Sequence, residues 1–165
     1  MTPPRRSTAV RPTSDRAREA IFSILGEASA GASVLDLFCG TGALGIEAIS
    51  RGAESATLVD QHIQFALRNV NELGLGDRCE VVRADVLAYL RRSRARFDLI
   101  FCDPPYNIAD RLAVDLDSSI PKRLAEGGRL ILESAAGRPL GLSLPLLDER
   151  RYGEASVRVY GGRES

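Results

Sequence analysis

Four consecutive residues, Asp103-Pro104-Pro105-Tyr106, bring together a hydrogen-bond acceptor, a stiff turn and a flat ring directly after an apolar run. An exocyclic amine on a nucleic-acid base is a poor nucleophile, because its lone pair is conjugated into the ring. Acceptors on its N–H groups favour the geometry in which that lone pair can attack. The Asp103 side chain and the Pro104 carbonyl can supply two such acceptors. The prolines fix φ and hold the acceptors in place, and Tyr106 offers a face on which a base can stack. A methyl group on a cationic sulfonium is already an electrophile, so the remaining task is to hold the nitrogen in line with it. The pattern points to methyl transfer onto a base amine, with Asp103, Pro104, Pro105 and Tyr106 as the catalytic residues.

A site for the methyl donor is legible upstream. Asp36-Leu37-Phe38-Cys39-Gly40-Thr41-Gly42-Ala43-Leu44-Gly45 passes from an apolar run into a glycine-rich turn and then a helical pattern. Glycines let the backbone approach a ligand closely, and a helix N-terminus offers free N–H groups. Gly40, Gly42 and Gly45 also match the G-x-G-x-x-G dinucleotide pattern, so the turn alone does not choose a cofactor. Asp36 does. A carboxylate ahead of the glycines suits the amino group of a sulfonium-bearing amino acid and repels a pyrophosphate. Asp36 and the Asp-Pro-Pro-Tyr loop together disfavour a nicotinamide dehydrogenase, the competitor on the same fold. Asp60 closes the next apolar run and can receive ribose hydroxyls or cap a helix. Asp85 closes the third and can accept from an adenine amino group or cap a helix.

The elements that position these residues alternate strictly. Ala17, Ala20, Ile21, Ile24 and Leu25 fall on one helical face, with Thr13 or Ser14 as N-cap, Gly26 as the stop, and Arg16 and Arg18 turned outward. Strands are expected over residues 34–38, 56–59, 80–83, 97–102 and 129–133. Helices are expected from the glycine turn to about Arg51, around Ile63, Ala66, Leu67 and Val70, after Asp85, and from about Arg111 to Leu124. Repeated strand–helix units predict an α/β domain with a mainly parallel sheet and helices on both faces. Residues 147–152 and 156–160, split by Gly153, read as an antiparallel pair at the sheet edge. All three upstream carboxylates then reach the carboxyl edge of one sheet, where such folds bind ligands.

Composition limits the alternatives. A chain of 165 residues with 44% hydrophobic and 27% charged residues suits one globular domain. No apolar run reaches the ~20 residues of a membrane span. The basic start has no apolar stretch after it, so a secretory leader is not expected. Cys39, Cys79 and Cys102 form no C-x-x-C pair, and His62 is the only histidine, so neither a disulfide framework nor a metal site is expected. Cys102 could suggest a nucleophile for carbon methylation, but no basic neighbour would lower its pKa, and a packed thiol is the reading. Charge balances at 22 basic and 22 acidic residues, which argues mildly against a dedicated nucleic-acid binder. The distribution tempers this: Arg5, Arg6, Arg11, Arg16 and Arg18 crowd the start, and Arg91, Arg92, Arg94 and Arg96 form a second cluster. Lys122 is the only lysine, so the basic residues are almost all arginine, which suits phosphate but equally follows from genomic base composition.

Arg11-Pro12-Thr13-Ser14-Asp15-Arg16-Ala17-Arg18-Glu19-Ala20-Ile21-Phe22, the turn from Asp36 to Gly45, and Asp103-Pro104-Pro105-Tyr106 occur in the order found in the RsmD-type 16S ribosomal RNA (guanine-N2)-methyltransferases, which the chain resembles from about Arg11 to Tyr160. The resemblance implies a Rossmann-like class I methyltransferase with a seven-stranded sheet, S-adenosyl-L-methionine as cofactor and ribosomal RNA or the small ribosomal subunit as partner. It implies cofactor contacts from Asp36, Phe38, Gly40, Thr41, Gly42, Asp60, Gln61, Asp85, Val86 and Asp103, and substrate contacts from Thr13, Arg16, Arg18 and Tyr106. The segment around Arg11 to Arg18 would pack over the methionine end of the cofactor. A cytoplasmic monomer without membrane or metal is the corresponding expectation. Members of that family begin with a basic segment that forms an RNA-gripping hairpin. Here residues 1–10 stand as a short basic arm before a single domain at 11–165. Another RNA or DNA amine as substrate, or a module that binds nucleotide or RNA without turnover, are the alternatives.

Overall fold

The computed structural model describes residues 15–137 and 139–162. Seven strands form one sheet: β1 Ser33–Leu37, β2 Ser55–Asp60, β3 Cys79–Arg83, β4 Phe97–Cys102, β5 Leu124–Ala135, β6 Leu146–Tyr152 and β7 Ala155–Gly161. Their order is β3-β2-β1-β4-β5-β7-β6. The first five pair in parallel, whereas β7 is antiparallel to both β5 and β6. The expected edge hairpin is present, turned at Gly153 with φ 59°.

Helices α1 Asp15–Leu25, α2 Ala43–Ser50 and α3 Gln64–Glu72 cover one face; α4 Val86–Arg92 and α5 Ala109–Ser119 cover the other. The strands explain this two-sided burial. Val34, Leu99, Phe101 and Ile131 face the first helix layer, while Leu35, Leu37, Ile100, Cys102 and Leu132 face the second. A strand buried on both faces needs an unbroken apolar run, and 99–102 supplies one. Phe22 of α1 packs on Phe101 with ring centroids 5.7 Å apart, fixing that helix to the central strand.

Several boundaries differ from the sequence expectation for identifiable reasons. Gly26 has φ 56° and ends α1, but the chain continues through a short 3-10 turn, Gly26–Ser29. The N-cap expected at Thr13 or Ser14 lies outside the described residues. Helix α5 stops at Ser119 and gives way to a 3-10 turn, Ile120–Arg123, because Pro121 cannot continue an α-helix. Strand β5 starts at Leu124 rather than 129, since the pairing with β4 shifts register between Phe97 and Leu99 and accommodates the glycine pair as an irregularity. In α3, Leu67 is 40% exposed, and the inner face is completed by Asn69, which is fully buried. His62 is exposed in the loop ahead of α3. Among the described residues, no helix is long and apolar enough to cross a membrane.

Candidate active site

The strand order reverses direction between β1 and β4, and the residues singled out from the sequence meet at the carboxyl edge on either side of that point. Leu37 pairs with Cys102, Leu37 with Val59, and Asp60 with Arg83, so the loops after β1, β2, β3 and β4 share one rim.

The glycine turn is built on left-handed backbone. Phe38, Gly40 and Gly42 have φ of 57°, 55° and 82°. For Phe38 that conformation costs about 1–3 kcal/mol and persists only where the surroundings enforce it. They do: the Cys39 N–H donates to the Val59 carbonyl at 3.1 Å, and the Gly42 N–H donates to the Cys39 carbonyl at 2.8 Å. Gly45 must be glycine for another reason. A Cβ there would lie 2.3 Å from Leu58 Cδ2, and Leu58 is fully buried.

Two carboxylates brace this turn. Asp36 is 3% exposed, and its Oδ2 accepts from the Gly45 N–H at 3.0 Å. Burial pushes its carboxyl up to about 8; the Gly45 bond opposes the shift and the nearby Asp60 charge adds to it. Asp60 accepts from the Gly40 N–H at 2.9 Å through Oδ2 and from the His62 N–H at 3.1 Å through Oδ1. Asp60 therefore ties the glycine turn and is not an N-cap, since α3 begins at Gln64 without a side-chain cap. Asp85 is a cap: its Oδ2 accepts from the Ala88 N–H at 3.0 Å at the start of α4. Its other oxygen accepts from Gln61 Nε2 at 3.3 Å, which brings Gln61 and Asp85 together across the ends of β2 and β3. Val86 is buried in the core, and Thr41 is buried beneath the turn.

The Asp-Pro-Pro-Tyr loop leaves β4 on the other side. Asp103 is half-buried, Pro104 buried, Pro105 exposed and Tyr106 40% exposed. The Ile108 N–H donates to the Pro105 carbonyl at 3.1 Å, closing the turn that leads into α5. Cys102 is 1% exposed, and burial, with the charges of Asp103 and Asp36, drives its thiol far above the ordinary range. A thiol so placed is a packed group and no nucleophile. Among the described residues, no group of three or more His, Cys, Asp or Glu could hold a metal ion.

The arginines divide. Arg16 is exposed on the first turn of α1. Arg18 is paired with Asp15 at 2.7 Å and with Glu47 at 3.9 Å. Arg91, Arg92, Arg94 and Arg96 lie at the opposite edge of the sheet, because α4 starts at the carboxyl edge and returns to the start of β4. Six residues of strand separate them from the Asp-Pro-Pro-Tyr loop, about 20 Å. Thr13 lies outside the described residues.

Two residues were not singled out from the sequence. Asn69 of α3 donates from Nδ2 to the Thr41 carbonyl at 3.0 Å, clamping the turn from below. An amide at an apolar-face position of a helix was the available signal. Asn69→Leu should leave that carbonyl unpaired, lower stability by about 1–3 kcal/mol and weaken binding of S-adenosylhomocysteine; denaturant titration and calorimetry read the two effects separately. The second is Glu133, which is 4% exposed near the end of β5.

A seven-stranded sheet with this order, a carboxylate-braced glycine turn after β1 and an Asp-Pro-Pro-Tyr loop after β4 defines the Rossmann-like S-adenosylmethionine-dependent methyltransferase fold. The family model described as conserved hypothetical protein 95 matches residues 3–161. The chain belongs to that family, the RsmD-type methyltransferases whose motifs it shares. "Putative rRNA methyltransferase YlbH" of Bacillus subtilis is 42% identical over 165 residues, covering 94% of this chain and 90% of the relative. "Ribosomal RNA small subunit methyltransferase D" of Escherichia coli is 37% identical over 103 residues, 61% of this chain and 52% of the relative. Among solved structures, "Putative methyltransferase yhhF from Escherichia coli" superposes with a TM-score of 0.80 at 29% identity, covering 96% of this chain and 90% of that one.

Proposed function

We propose that this protein transfers a methyl group from S-adenosylmethionine to the exocyclic N2 amine of a guanine in 16S ribosomal RNA. The observation that carries the reading is the placement of Asp103-Pro104-Pro105-Tyr106 at the end of β4, beside the carboxylate-braced glycine turn at the end of β1. The relatives, an rRNA methyltransferase of Bacillus subtilis and a small-subunit rRNA methyltransferase of Escherichia coli, support ribosomal RNA as the substrate. Such a substrate fits a cytoplasmic enzyme acting as a monomer.

The residues present suit this cofactor. Asp36, with its raised pKa, is a latent anion under the turn for an amino group; Gly40, Thr41 and Gly42 present backbone at close range, beside Phe38. Asp60 suits ribose hydroxyls. Asp85, Gln61 and the backbone of Val86 line the rim where an adenine would lie. The cofactor, when bound, supplies an electrophilic methyl group on a sulfonium. Asp103 and the Pro104 carbonyl accept the amine's N–H groups and turn its lone pair toward the methyl. Tyr106 carries the base on its ring, and Pro104 and Pro105 keep the acceptors from relaxing. Calorimetry should detect S-adenosylhomocysteine binding and no comparable affinity for NAD; preferential NAD binding contradicts the methyltransferase reading.

RNA grip is assigned to Arg16 and Arg18 of α1, together with Thr13, which lies outside the described residues. Arg16 is exposed and Arg18 is held by Asp15 and Glu47. Arg16→Ala should therefore flatten the salt dependence of RNA binding by about one unit of slope. Arg18→Ala should flatten it less. An unchanged slope in both variants would move the footprint elsewhere, and the Arg91 to Arg96 cluster at the far edge would be next.

A further inference from the structure

Arg91, Arg92, Arg94 and Arg96 are all exposed where α4 ends and the chain turns back into β4. The fold adds to this group. The Arg123 guanidinium donates to the Ser93 carbonyl, which holds the turn Ile120–Arg123 against the loop after α4. Lys122, also exposed, is thereby set beside the arginines. Two segments 30 residues apart in the chain join in one basic face.

Local structure accounts for only part of it. Arg91 and Arg92 close α4, where cations suit the helix dipole, and Arg92 lies over the Tyr89 ring at 5.7 Å. Those roles do not extend to Arg94, Arg96 and Lys122, which lie past that helix or on the other turn. Arg91 reaches Asp115 of α5 at 3.9 Å, a solvated pair that cancels little of the charge. The surroundings give the face a direction. Helix α5 carries Asp110, Asp115 and Asp117, which turn a polyanion away, whereas α4 has no acid between its Asp85 cap and Arg91.

So concentrated a positive face, in a chain of zero net charge, fits a polyanion. It lies at the amino edge of the sheet, and the Asp-Pro-Pro-Tyr loop lies at the carboxyl edge, one strand length or about 20 Å away. A nucleic-acid duplex carries about a dozen phosphate charges over that length, so one RNA can reach both. We propose that Arg91, Arg92, Arg94, Arg96 and Lys122 form a second RNA-binding face, which takes the phosphate backbone of a helix flanking the target nucleotide along the α4 side. The inference rests on the reading of ribosomal RNA as substrate and extends it. The face supplies affinity without reading sequence, because phosphates are alike along the chain.

The test combines RNA binding across a salt series with steady-state methylation. Arg91→Gln, Arg92→Gln, Arg94→Gln and Arg96→Gln together should flatten the salt dependence of binding to naked small-subunit ribosomal RNA by about three units of slope. KM for the RNA substrate should rise by about tenfold or more with kcat unchanged, the signature of lost uniform binding. Affinity for S-adenosylhomocysteine should hold, which also reports an intact fold. Arg94→Gln with Arg96→Gln leaves α4 untouched and should give about half the change in slope, so the outcome does not depend on the helix accepting every substitution. Lysine at the same four positions keeps the charge and should keep the slope. A lysine variant as weak as the glutamine one overturns the inference, since charge would not be what the face contributes. An unchanged slope and KM in the glutamine variant overturn it outright. A loss seen only with assembled subunits, at an unchanged slope on naked RNA, assigns the face to an acidic protein and overturns it as well. If no ribosomal RNA is methylated, the substrate reading falls on that ground; a methylated RNA bound with an unchanged slope defeats this inference alone.

Discussion

Asp103→Ala should lower turnover by about two to three orders of magnitude, the scale of about 2.7–4 kcal/mol for loss of one preorganised transition-state hydrogen bond. The substitution removes an acceptor for the amine N–H and leaves the turn bonds of Asp36 and Asp60 in place. S-adenosylhomocysteine affinity should consequently stay within a few-fold. Asp103→Asn separates two roles, because Asn keeps a carbonyl oxygen at the same reach and loses the charge. If Asp103 acts mainly as an acceptor, Asn retains clear activity, and this is the expected result, since the proton can leave to water after transfer. If Asp103 must balance positive charge developing on nitrogen, Asn is nearly as poor as Ala. Steady-state and single-turnover rates on the RNA substrate decide between them. Full activity in the Ala variant would return the loop to the status of a rigid turn.

Cofactor affinity should rise with pH and level off near 8. Burial pushes the Asp36 carboxyl up from the ordinary carboxylate range to about 8, so the ligand-free protein carries it largely neutral at pH 7. The sign follows from which state prefers the proton. The folded value is raised, so the stabilisation that the neutral acid lends the fold is complete below the unfolded value and lost as pH rises through about 8. A bound ammonium prefers the carboxylate, so binding below pH 8 expels a proton. Each pH unit below that point then weakens binding by up to about tenfold. Calorimetry of S-adenosylhomocysteine in two buffers of different ionisation enthalpy should show proton release at pH 6.5 and little at pH 8.5. Asp36→Asn keeps an acceptor for the Gly45 N–H but cannot titrate, so its affinity should be weak and flat over the same range. A flat profile in the unchanged protein would contradict a cationic partner for Asp36.

The order of elements was legible because most strands of the parallel sheet carry a short apolar run ending in a polar signal, as 99–102 ends in Asp103. The edge hairpin was legible because no helical pattern separates its strands. What local pattern could not show depended on distant partners. Asn69 reads as one polar residue in a helix until Thr41, 28 positions away, is found above it. The left-handed backbone of Phe38 is enforced by β2 through Val59, not by its own side chain. Asp60 read equally well as a ribose partner or a cap; it does not cap α3 but ties the glycine turn through Gly40, a contact no periodicity reveals. The Arg91 to Arg96 cluster looked comparable to the first arginine group, and only the direction of α4 puts it on the far edge.

The most direct measurement is methyl transfer from isotopically labelled S-adenosylmethionine onto small-subunit ribosomal RNA, naked and as subunits, taken from cells lacking this protein. Mass spectrometry of the digested nucleosides should then show the label in N2-methylguanosine at a single position, with the signal lost in Asp103→Ala. Label in a different nucleoside, or none in RNA while S-adenosylhomocysteine still binds, would contradict guanine N2 of 16S ribosomal RNA as the target.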